Sequence, residues 1–216
     1  MAHKVIRRGE LAGSGPVRYK IDAHPGGAIT ASVTIDYEDA PVPEHYYVAD
    51  YFEVTNFDPE VLFVFGKLAS PGNEKLRNKV EIYFPGSYFI NQFWKSSSGD
   101  FRQRLKSFLA DAGYKPITPK PITEATEKVQ TVHSNNAYMV QAGTECMIDF
   151  FFLSPRDLAL KAQKGKELVL EPLVRVLLTA NLLLGLLDAC EPIAATLAPR
   201  FEAKENAHAA MESQRA

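Results

Sequence analysis

The sequence predicts an α+β fold built from two copies of a strand-strand-strand-helix unit, with antiparallel sheets and helices packed on one face. An apolar pattern in the first half recurs in the second at a constant offset of 94 residues, as from Val80 to Val174. In both copies an alternating apolar segment, typical of a strand, precedes a small polar residue and then an apolar segment suited to a helix. With 216 residues, 46% of them hydrophobic, the chain is long and apolar enough to bury a core. The matched positions of the first copy are Val80, Ile82, Phe84, Ser87, Tyr88, Phe89, Ile90 and Phe93.

An N-terminal arm precedes the first copy. Residues 1–16 are polar and glycine-rich and are predicted to be flexible. Two strands are expected over 17–22 and 28–37, since apolar and polar residues alternate there and Pro25-Gly26-Gly27 supplies a turn. We assign this arm and the first repeat to one segment, 17–113.

The first repeat contains three predicted strands, over 45–54, 60–68 and 79–84, with a turn at 56–59. Ser87 is expected to cap a short helix, because Pro85-Gly86 ends the third strand and serine is a favoured N-cap residue. A second helix, over 100–112, carries apolar residues with a spacing of i, i+4, i+7 and i+8, and Gly113 suits its C-terminus. Those residues are Phe101, Leu105, Phe108 and Leu109.

A proline-rich linker is predicted over 114–133, with a strand near Val129–Val132, and the second repeat follows over 134–200. The first two strands of the repeats align when a one-residue gap is placed at the turn, so that Glu145 matches Glu60. A short helix is expected within 154–167 and a third strand over 168–179.

The end of the second repeat is predicted to be helical. Asn181 takes the place of Ser87 as a cap for a helix over 182–189, and Pro192 suits the start of a last helix before a frayed tail at 201–216. The helix over 182–189 is apolar on nearly all sides, so we expect it either between layers of the fold or in an oligomer contact.

The same region raises the question of a membrane span. Residues 168–187 are long enough to cross a bilayer, but they contain Glu171, Pro172 and Arg175. We therefore expect a buried strand and a buried helix, with no membrane partner. No secretory signal is visible, and the expected location is the cytoplasm.

Composition and motifs point away from several classes of function. The formal net charge is −2, which gives no overall attraction to nucleic acid or an anionic membrane. Cys146 and Cys190 lie in apolar segments and are predicted to be reduced and buried. No histidine has a close His or Cys partner, and no nucleophile or phosphate-loop motif is present, so we expect no metal, no cofactor and no enzymatic activity.

Glu60 and Glu145 occupy matched positions. An acid/base pair is the catalytic interpretation, and a solvent-facing or ion-paired role is the favoured one.

Aromatic residues are concentrated in the first repeat, whereas the second is mainly aliphatic. Aromatic rings on an exposed sheet face stack on single-stranded bases or hold an extended peptide, and otherwise they form core. Tyr47, Tyr51 and Tyr83 alternate away from the apolar faces of their predicted strands. Together with Trp94 they are the candidate partner-binding residues.

Short motifs in both repeats resemble a small bacterial family of domains of unknown function. They are Asp50-Tyr51-Phe52, the segments 60–65 and 80–83, and the corresponding segments 136–138, 145–150 and 174–176. The similarity covers about 46–95 and 134–190, with Asp50 standing where the family has Asn and no proline at either helix start. A weaker similarity is to the SecB class of export chaperones. Neither resemblance implies catalytic residues, and the SecB likeness implies an oligomer.

Two hypotheses of function follow. The first is a non-enzymatic protein-binding or assembly module, chaperone-like and self-associating as a homo-oligomer. The alternative is a sheet-based protein that binds single-stranded nucleic acid, for which Lys67, Lys75, Arg77 and Lys79 are the basic candidates.

Overall fold

The computed structural model describes residues 11–13, 15–23, 29–70, 75–122, 128–161 and 164–213. Within them the protein is α+β with mainly antiparallel sheets, as predicted. The chain forms two compact units. One contains 1–42, 152–172 and 201–216, and the other contains 43–151 and 173–200.

The first unit contains a three-stranded antiparallel sheet, β1 (Leu11–Ala12), β2 (Val17–Ala23) and β3 (Ile29–Ile35). Both strands predicted for the arm are therefore confirmed. Tyr19 on β2 is fully buried and donates its hydroxyl to the carbonyl of Lys166 at 2.7 Å. Residues 1–10 and 14 of the segment 1–16 that was predicted to be flexible, the turn at Pro25-Gly26-Gly27 and the last residues of the predicted tail, 214–216, lie outside the described residues. Leu11–Ala12 of the same segment form β1.

The short helix expected after the second strand of the second repeat is confirmed as α4 (Pro155–Leu160). Ser154 caps it, since its hydroxyl oxygen accepts a hydrogen bond from the amide of Asp157 at 3.2 Å.

The second unit contains two four-stranded sheets of the same design. The first sheet has the order β5-β6-β7-β8 and the second has the order β4-β11-β10-β9. In each sheet three strands are antiparallel, and the fourth is added parallel to the last of them. The strands of the first sheet are β5 (Tyr51–Phe57), β6 (Glu60–Leu68), β7 (Leu76–Pro85) and β8 (Val129–His133). Those of the second are β4 (Tyr46–Val48), β9 (Asn136–Ala142), β10 (Glu145–Leu153) and β11 (Leu170–Thr179).

The parallel strands are exchanged between the repeats. β4 immediately precedes β5 but pairs with β11 of the second sheet, and β8 immediately precedes β9 but pairs with β7 of the first. The crossings are made by Ala49-Asp50 and Ser134-Asn135 and use equivalent hydrogen bonds. The amide of Ala49 donates to Leu177 at 2.8 Å, and the amide of Ser134 donates to Tyr83 at 2.9 Å. The prediction of one continuous strand over 45–54 is therefore wrong, because the chain leaves one sheet and enters the other in its middle.

The gap predicted between the repeats is also wrong. Phe57 pairs with Glu60 and Ala142 pairs with Glu145, so each hairpin closes with two residues. The offset between the repeats is 85 residues throughout these strands, as from Tyr51 to Asn136. It becomes 94 only after the next connection, which is longer in the second repeat and contains α4. In this alignment Asn135, rather than Asn136, is the counterpart of Asp50.

The helix of the first repeat is irregular. α1 (Gly86–Tyr88) continues as a π-helical segment, Phe89–Trp94, and then as α2 (Lys95–Ser98). The predicted Ser87 cap is wrong, because the helix already begins at Gly86, whose amide donates to the carbonyl of Pro59 at 2.8 Å.

Helix α3 (Asp100–Asp111) matches the second helix predicted for the first repeat. Gly113 has a φ of +72° and ends it, with the amide of Tyr114 bonded to Leu109 at 2.8 Å and that of Gly113 bonded to Ala110 at 3.1 Å. This pair of bonds is the Schellman motif that a glycine at this position predicts.

Helix α5 (Ala180–Ser213) is a single helix. Its first amide, of Ala180, bonds the carbonyl of Thr144 at 2.9 Å, so Asn181 lies inside the helix instead of capping it. Pro192 does not start a new helix as predicted. It is an exposed residue within α5, as is Pro199, and buried residues on the opposite side keep the helix continuous. These residues are Leu183, Leu186, Leu187, Cys190, Ala194 and Leu197.

The leucines of the first two turns of α5 lie inside the protein. Leu182, Leu183, Leu184, Leu186 and Leu187 are each 4% exposed or less. The interpretation of this helix as an internal element is therefore confirmed, as is that of 168–187 as a strand and a helix. The segment Ala180–Phe201 has the length and mean hydropathy, 1.4, of a membrane span, and half of its apolar window is buried. Core helices of soluble proteins can have the same length and mean hydropathy.

The core of this unit lies between the inner faces of the two sheets and the helices. Phe63 of the first sheet contacts Phe93 of the π-helical segment, with ring centroids 4.8 Å apart, and Phe150 of the second sheet at 6.2 Å. Cys146 and Cys190 are free and buried, as predicted.

Candidate functional site

A cleft of about 390 Å³ opens where the chain crosses from β4 to β5. Its walls come from the crossing itself, from the end of β11, from the start of β10 and from β6. We call it the crossover cleft. Its lining residues are Val48, Ala49, Asp50, Lys67, Glu145, Cys146, Leu177, Leu178 and Thr179.

The crossing is held in place by Asp50. Its carboxylate accepts the amide of Leu68 at 2.6 Å and lies 3.2 Å from the ammonium of Lys67. Both bonds attach the start of β5 to the end of β6. Asp50 and Lys67 therefore neutralise each other and have a structural role at the wall of the cleft.

A free strand edge adjoins the cleft. β4 is an edge strand, and it bonds β11 through the carbonyl of His45 and the amide of Ala49. Because successive peptide groups of a strand point to opposite sides, the peptide groups of Tyr46 and Val48 point away from the sheet. No bond from them to another described residue is present. Their side chains are 67% and 48% exposed, so an apolar edge lies beside an apolar cleft.

The polar groups of the cleft do not form a catalytic arrangement. Burial raises the pKa of the Cys146 thiol to about 11, so near neutral pH this cysteine is a protonated, apolar wall group. Glu145 is exposed and has no hydrogen-bonding or ion-pairing partner among the described residues. The cleft thus offers apolar contact, strand-edge hydrogen bonds and one unpaired negative charge.

The equivalent position in the first repeat is occupied by two rings. The 94- and 85-residue offsets place Tyr83 at the position of Leu177 and His133 at that of Val48, and the two pairs have the same register. The rings of Tyr83 and His133 stack with centroids 5.2 Å apart. Nδ1 of His133 lies 3.9 Å from Oε1 of Glu60, the counterpart of Glu145. Aliphatic residues thus leave space in the second repeat where aromatic residues fill it in the first.

The structure places the four predicted partner-binding residues in different surroundings. Tyr51 is buried, 3% exposed, in an apolar cluster on the outer face of the first sheet, and Tyr83 packs against the same cluster. Burial raises the pKa of Tyr51 to about 12, and its hydroxyl donates to Glu53 at 3.2 Å. In this structure Tyr51 is a core residue and is not accessible to a partner. The cluster consists of Tyr51, Leu62, Val64 and Leu76.

Tyr47 and Trp94 lie apart from that cluster. Tyr47 is half-buried and donates its hydroxyl to Oε1 of Gln130 at 2.8 Å, which links the two exchanged strands. Burial raises its pKa. Trp94 is half-buried, with the guanidinium carbon of Arg102 5.8 Å from the centre of its ring.

The cleft itself was missed by sequence reasoning, which placed 45–54 in one strand and did not bring Lys67, Glu145 and Cys146 together. The one local sign was Asp50, a carboxylate in the middle of an apolar segment. The basic residues proposed for nucleic-acid binding are partly engaged, since Lys67 pairs with Asp50 and Lys79 pairs with Glu81 at 2.7 Å. Within the described residues, no group of three or more His, Cys, Asp or Glu side chains is arranged to hold a metal ion.

Comparison of the chain with protein-family models, with curated proteins and with solved structures found no match. The resemblances inferred from short motifs therefore remain predictions.

Proposed function

We propose that this protein is a non-enzymatic protein-binding module that holds an extended polypeptide segment at the crossover cleft. In this respect it is chaperone-like, since the site offers apolar contact to an unfolded or extended chain. The observation that carries the proposal is the combination of an open apolar cleft with an adjoining free strand edge.

The strand edge and the cleft contribute to the affinity for a peptide in different ways. A peptide strand laid along β4 satisfies the outward peptide groups of Tyr46 and Val48, which gives affinity independent of sequence. An apolar side chain of that strand enters the cleft between Val48, Leu177 and Leu178, which removes apolar surface from water. The short free edge and the small volume of the crossover cleft favour a short contact of modest affinity.

The test uses fluorescein-labelled peptides of about six residues, the length of an average strand. Each has blocked ends, alternating apolar and polar side chains, and a central leucine. Fluorescence anisotropy with the full chain is expected to give saturable binding. A scrambled peptide with the same composition and no alternation is the control for nonspecific apolar contact.

The decisive variant fills the cleft as the first repeat does. Val48→His combined with Leu177→Tyr introduces the ring pair that stacks at the equivalent position, so it is expected to be tolerated by the fold and to reduce peptide affinity at least tenfold. Circular dichroism and thermal melting check that the variant is folded. Undiminished binding by this folded variant would exclude the crossover cleft as the site.

The reciprocal variant, Tyr83→Leu with His133→Val, opens the equivalent position of the first repeat. It leaves the crossover cleft untouched, so binding at that cleft is expected to persist. An additional binding site in titrations of this variant would strengthen the proposal.

Self-association into a homo-oligomer remains part of the proposal. Light scattering of the full chain measures it directly, and a monomer at all concentrations would remove assembly from the proposed function. For single-stranded nucleic acid no feature of the described residues provides specific support, because Lys67 and Lys79 are engaged in ion pairs. Absence of binding to a labelled oligonucleotide at low salt is the expected result.

A further inference from the structure

Glu145 is the feature of the crossover cleft that binding of an apolar chain does not use. It is an exposed carboxylate at the cleft wall without a partner among the described residues. Its counterpart in the first repeat, Glu60, has the imidazole of His133 at 3.9 Å. The second repeat has Val48 at the position of that histidine, so the carboxylate is retained while the group opposite it is lost.

The neighbouring cations do not compensate for this loss. The ammonium of Lys67 lies against Asp50 at 3.2 Å. The guanidinium of Arg175 is bonded to both oxygens of the Asp149 carboxylate, at 2.6 and 2.7 Å. Each of these charges is matched within the protein, and Glu145 leaves the cleft with one excess negative charge.

The first repeat also indicates which chemistry suits the space. There, the planar imidazole of His133 stacks on the ring of Tyr83 and has a nitrogen near the carboxylate of Glu60. Among peptide side chains that carry a full positive charge near neutral pH, arginine comes nearest to this arrangement. Its guanidinium is planar, packs flat on its neighbours and donates charge-assisted hydrogen bonds to a carboxylate.

We propose that the segment held at the crossover cleft carries a basic side chain, preferably arginine, next to its apolar anchor, and that this side chain pairs with Glu145. The inference rests on the proposed function and adds the class of sequence that the site selects. The apolar anchor provides the contact, and Glu145 discriminates between segments according to charge.

The experiment uses three labelled peptides that differ in one residue beside the central leucine, which is arginine, leucine or glutamate. The arginine peptide is expected to bind the wild-type chain about three- to fivefold more tightly than the leucine peptide, as for a partly exposed ion pair. The glutamate peptide is expected to bind most weakly. Raising the ionic strength to about 1 M shortens the screening length to about 3 Å and is expected to remove most of the difference.

Glu145→Gln is the decisive substitution, and Glu60→Gln is its matched control at the equivalent position. Glu145→Gln is expected to abolish the preference for arginine, so that this variant binds the arginine and leucine peptides equally, whereas Glu60→Gln leaves the preference intact. Equal binding of the arginine and leucine peptides by the wild-type chain overturns the inference, as does a preference that survives Glu145→Gln. If the leucine peptide still binds in either case, the proposed function stands alone, and if no peptide binds, both are rejected.

Discussion

The two repeats have the same strand order and the same exchanged strand, yet they use different side chains at equivalent places. The first builds its inner face with Phe63, Phe65 and Phe84, whereas the second has Ile148, Phe150 and Leu178. On the outer side the first places Tyr83 against His133, and the second leaves Leu177 and Val48 beside an open cleft. The difference shows that one copy of a duplicated fold can have a cleft at a position that side chains fill in the other copy.

The proposed site lies elsewhere than the surface expected from composition. The aromatic richness of the first repeat indicated a surface for a partner in that repeat. In the structure most of those rings are buried. The cleft that we propose for a partner lies in the second repeat, where rings are missing.

The largest loss of stability is expected from a substitution in the aromatic core of the first repeat. The Phe63 ring contacts five other rings, so Phe63→Ala is expected to lower the free energy of unfolding by about 3–5 kcal/mol. Ile148→Ala at the equivalent position also leaves a cavity but loses no ring contacts. Its cost is expected to be smaller by about 1 kcal/mol. Urea unfolding measures both, and equal losses would show that the aromatic packing adds nothing beyond volume.

The next largest loss of stability is expected from breaking the ion pair of the second repeat. Asp149, with a side chain 6% exposed, binds Arg175, whereas the first repeat has Val64 and Glu81 at these positions. Asp149→Ala leaves a guanidinium without its partner and is expected to cost about 2–3 kcal/mol. The double change Asp149→Val with Arg175→Met removes both charges and is expected to recover most of that loss. Glu81→Ala, which breaks a more exposed pair with Lys79, is the control and is expected to cost less than about 1 kcal/mol. A double variant as unstable as Asp149→Ala would contradict this account.

Local signals predicted the elements that depend on neighbours in the sequence. The apolar, aromatic-rich segment 60–68 and the alternation within 79–84 identified β6 and β7, and the spacing of Leu105 and Leu109 with Gly113 after them identified α3 and its end. These features follow from side-chain direction and from a left-handed glycine, both of which are local properties.

The strand exchange and the cleft depend on pairing between distant segments. Tyr46–Val48 has the same alternation whether it continues into β5 or pairs with β11, so no local pattern marks the break at Ala49-Asp50. The cleft exists because Leu177 lies beside Val48, residues that are far apart in sequence and become neighbours only in the parallel pair. The irregular helix start at Gly86 has a similar origin, since the amide of Gly86 donates to the carbonyl of Pro59 in the turn between β5 and β6.

The linker crosses α5 at a point where the second repeat has a glycine. A Cβ on Gly185 would collide with the backbone of Ile117, whose amide bonds the carbonyl of Asn181 at 3.0 Å. Gly185→Ala is expected to displace the linker and cost about 1–3 kcal/mol. Asn91→Ala changes the equivalent position of the first repeat and is expected to cost less than about 1 kcal/mol. Limited proteolysis within 114–122 reports the displacement, and unchanged cleavage together with unchanged stability would argue against a close crossing.

The smallest effect is expected where a helix of the first repeat meets the helix of the second. Arg102 of α3 donates hydrogen bonds to Glu191 of α5, at 2.8 Å, and to Asp188. The hydrogen bond and the positive charge of Arg102 lower the pKa of Glu191. A carboxyl group whose pKa is lower in the folded protein than in the unfolded chain stabilises the fold above the unfolded value, which is about 4.3, and loses that contribution as the pH falls through the folded value. Glu191→Gln is therefore expected to lower the melting temperature slightly at neutral pH and to have no effect once the pH is well below the pKa that Glu191 has in the folded protein. Asp111→Asn changes an exposed carboxylate that has no ion pair among the described residues, and it is the control. If the effect of Glu191→Gln persists unchanged in acid, the charge of the carboxylate is not what Arg102 recognises.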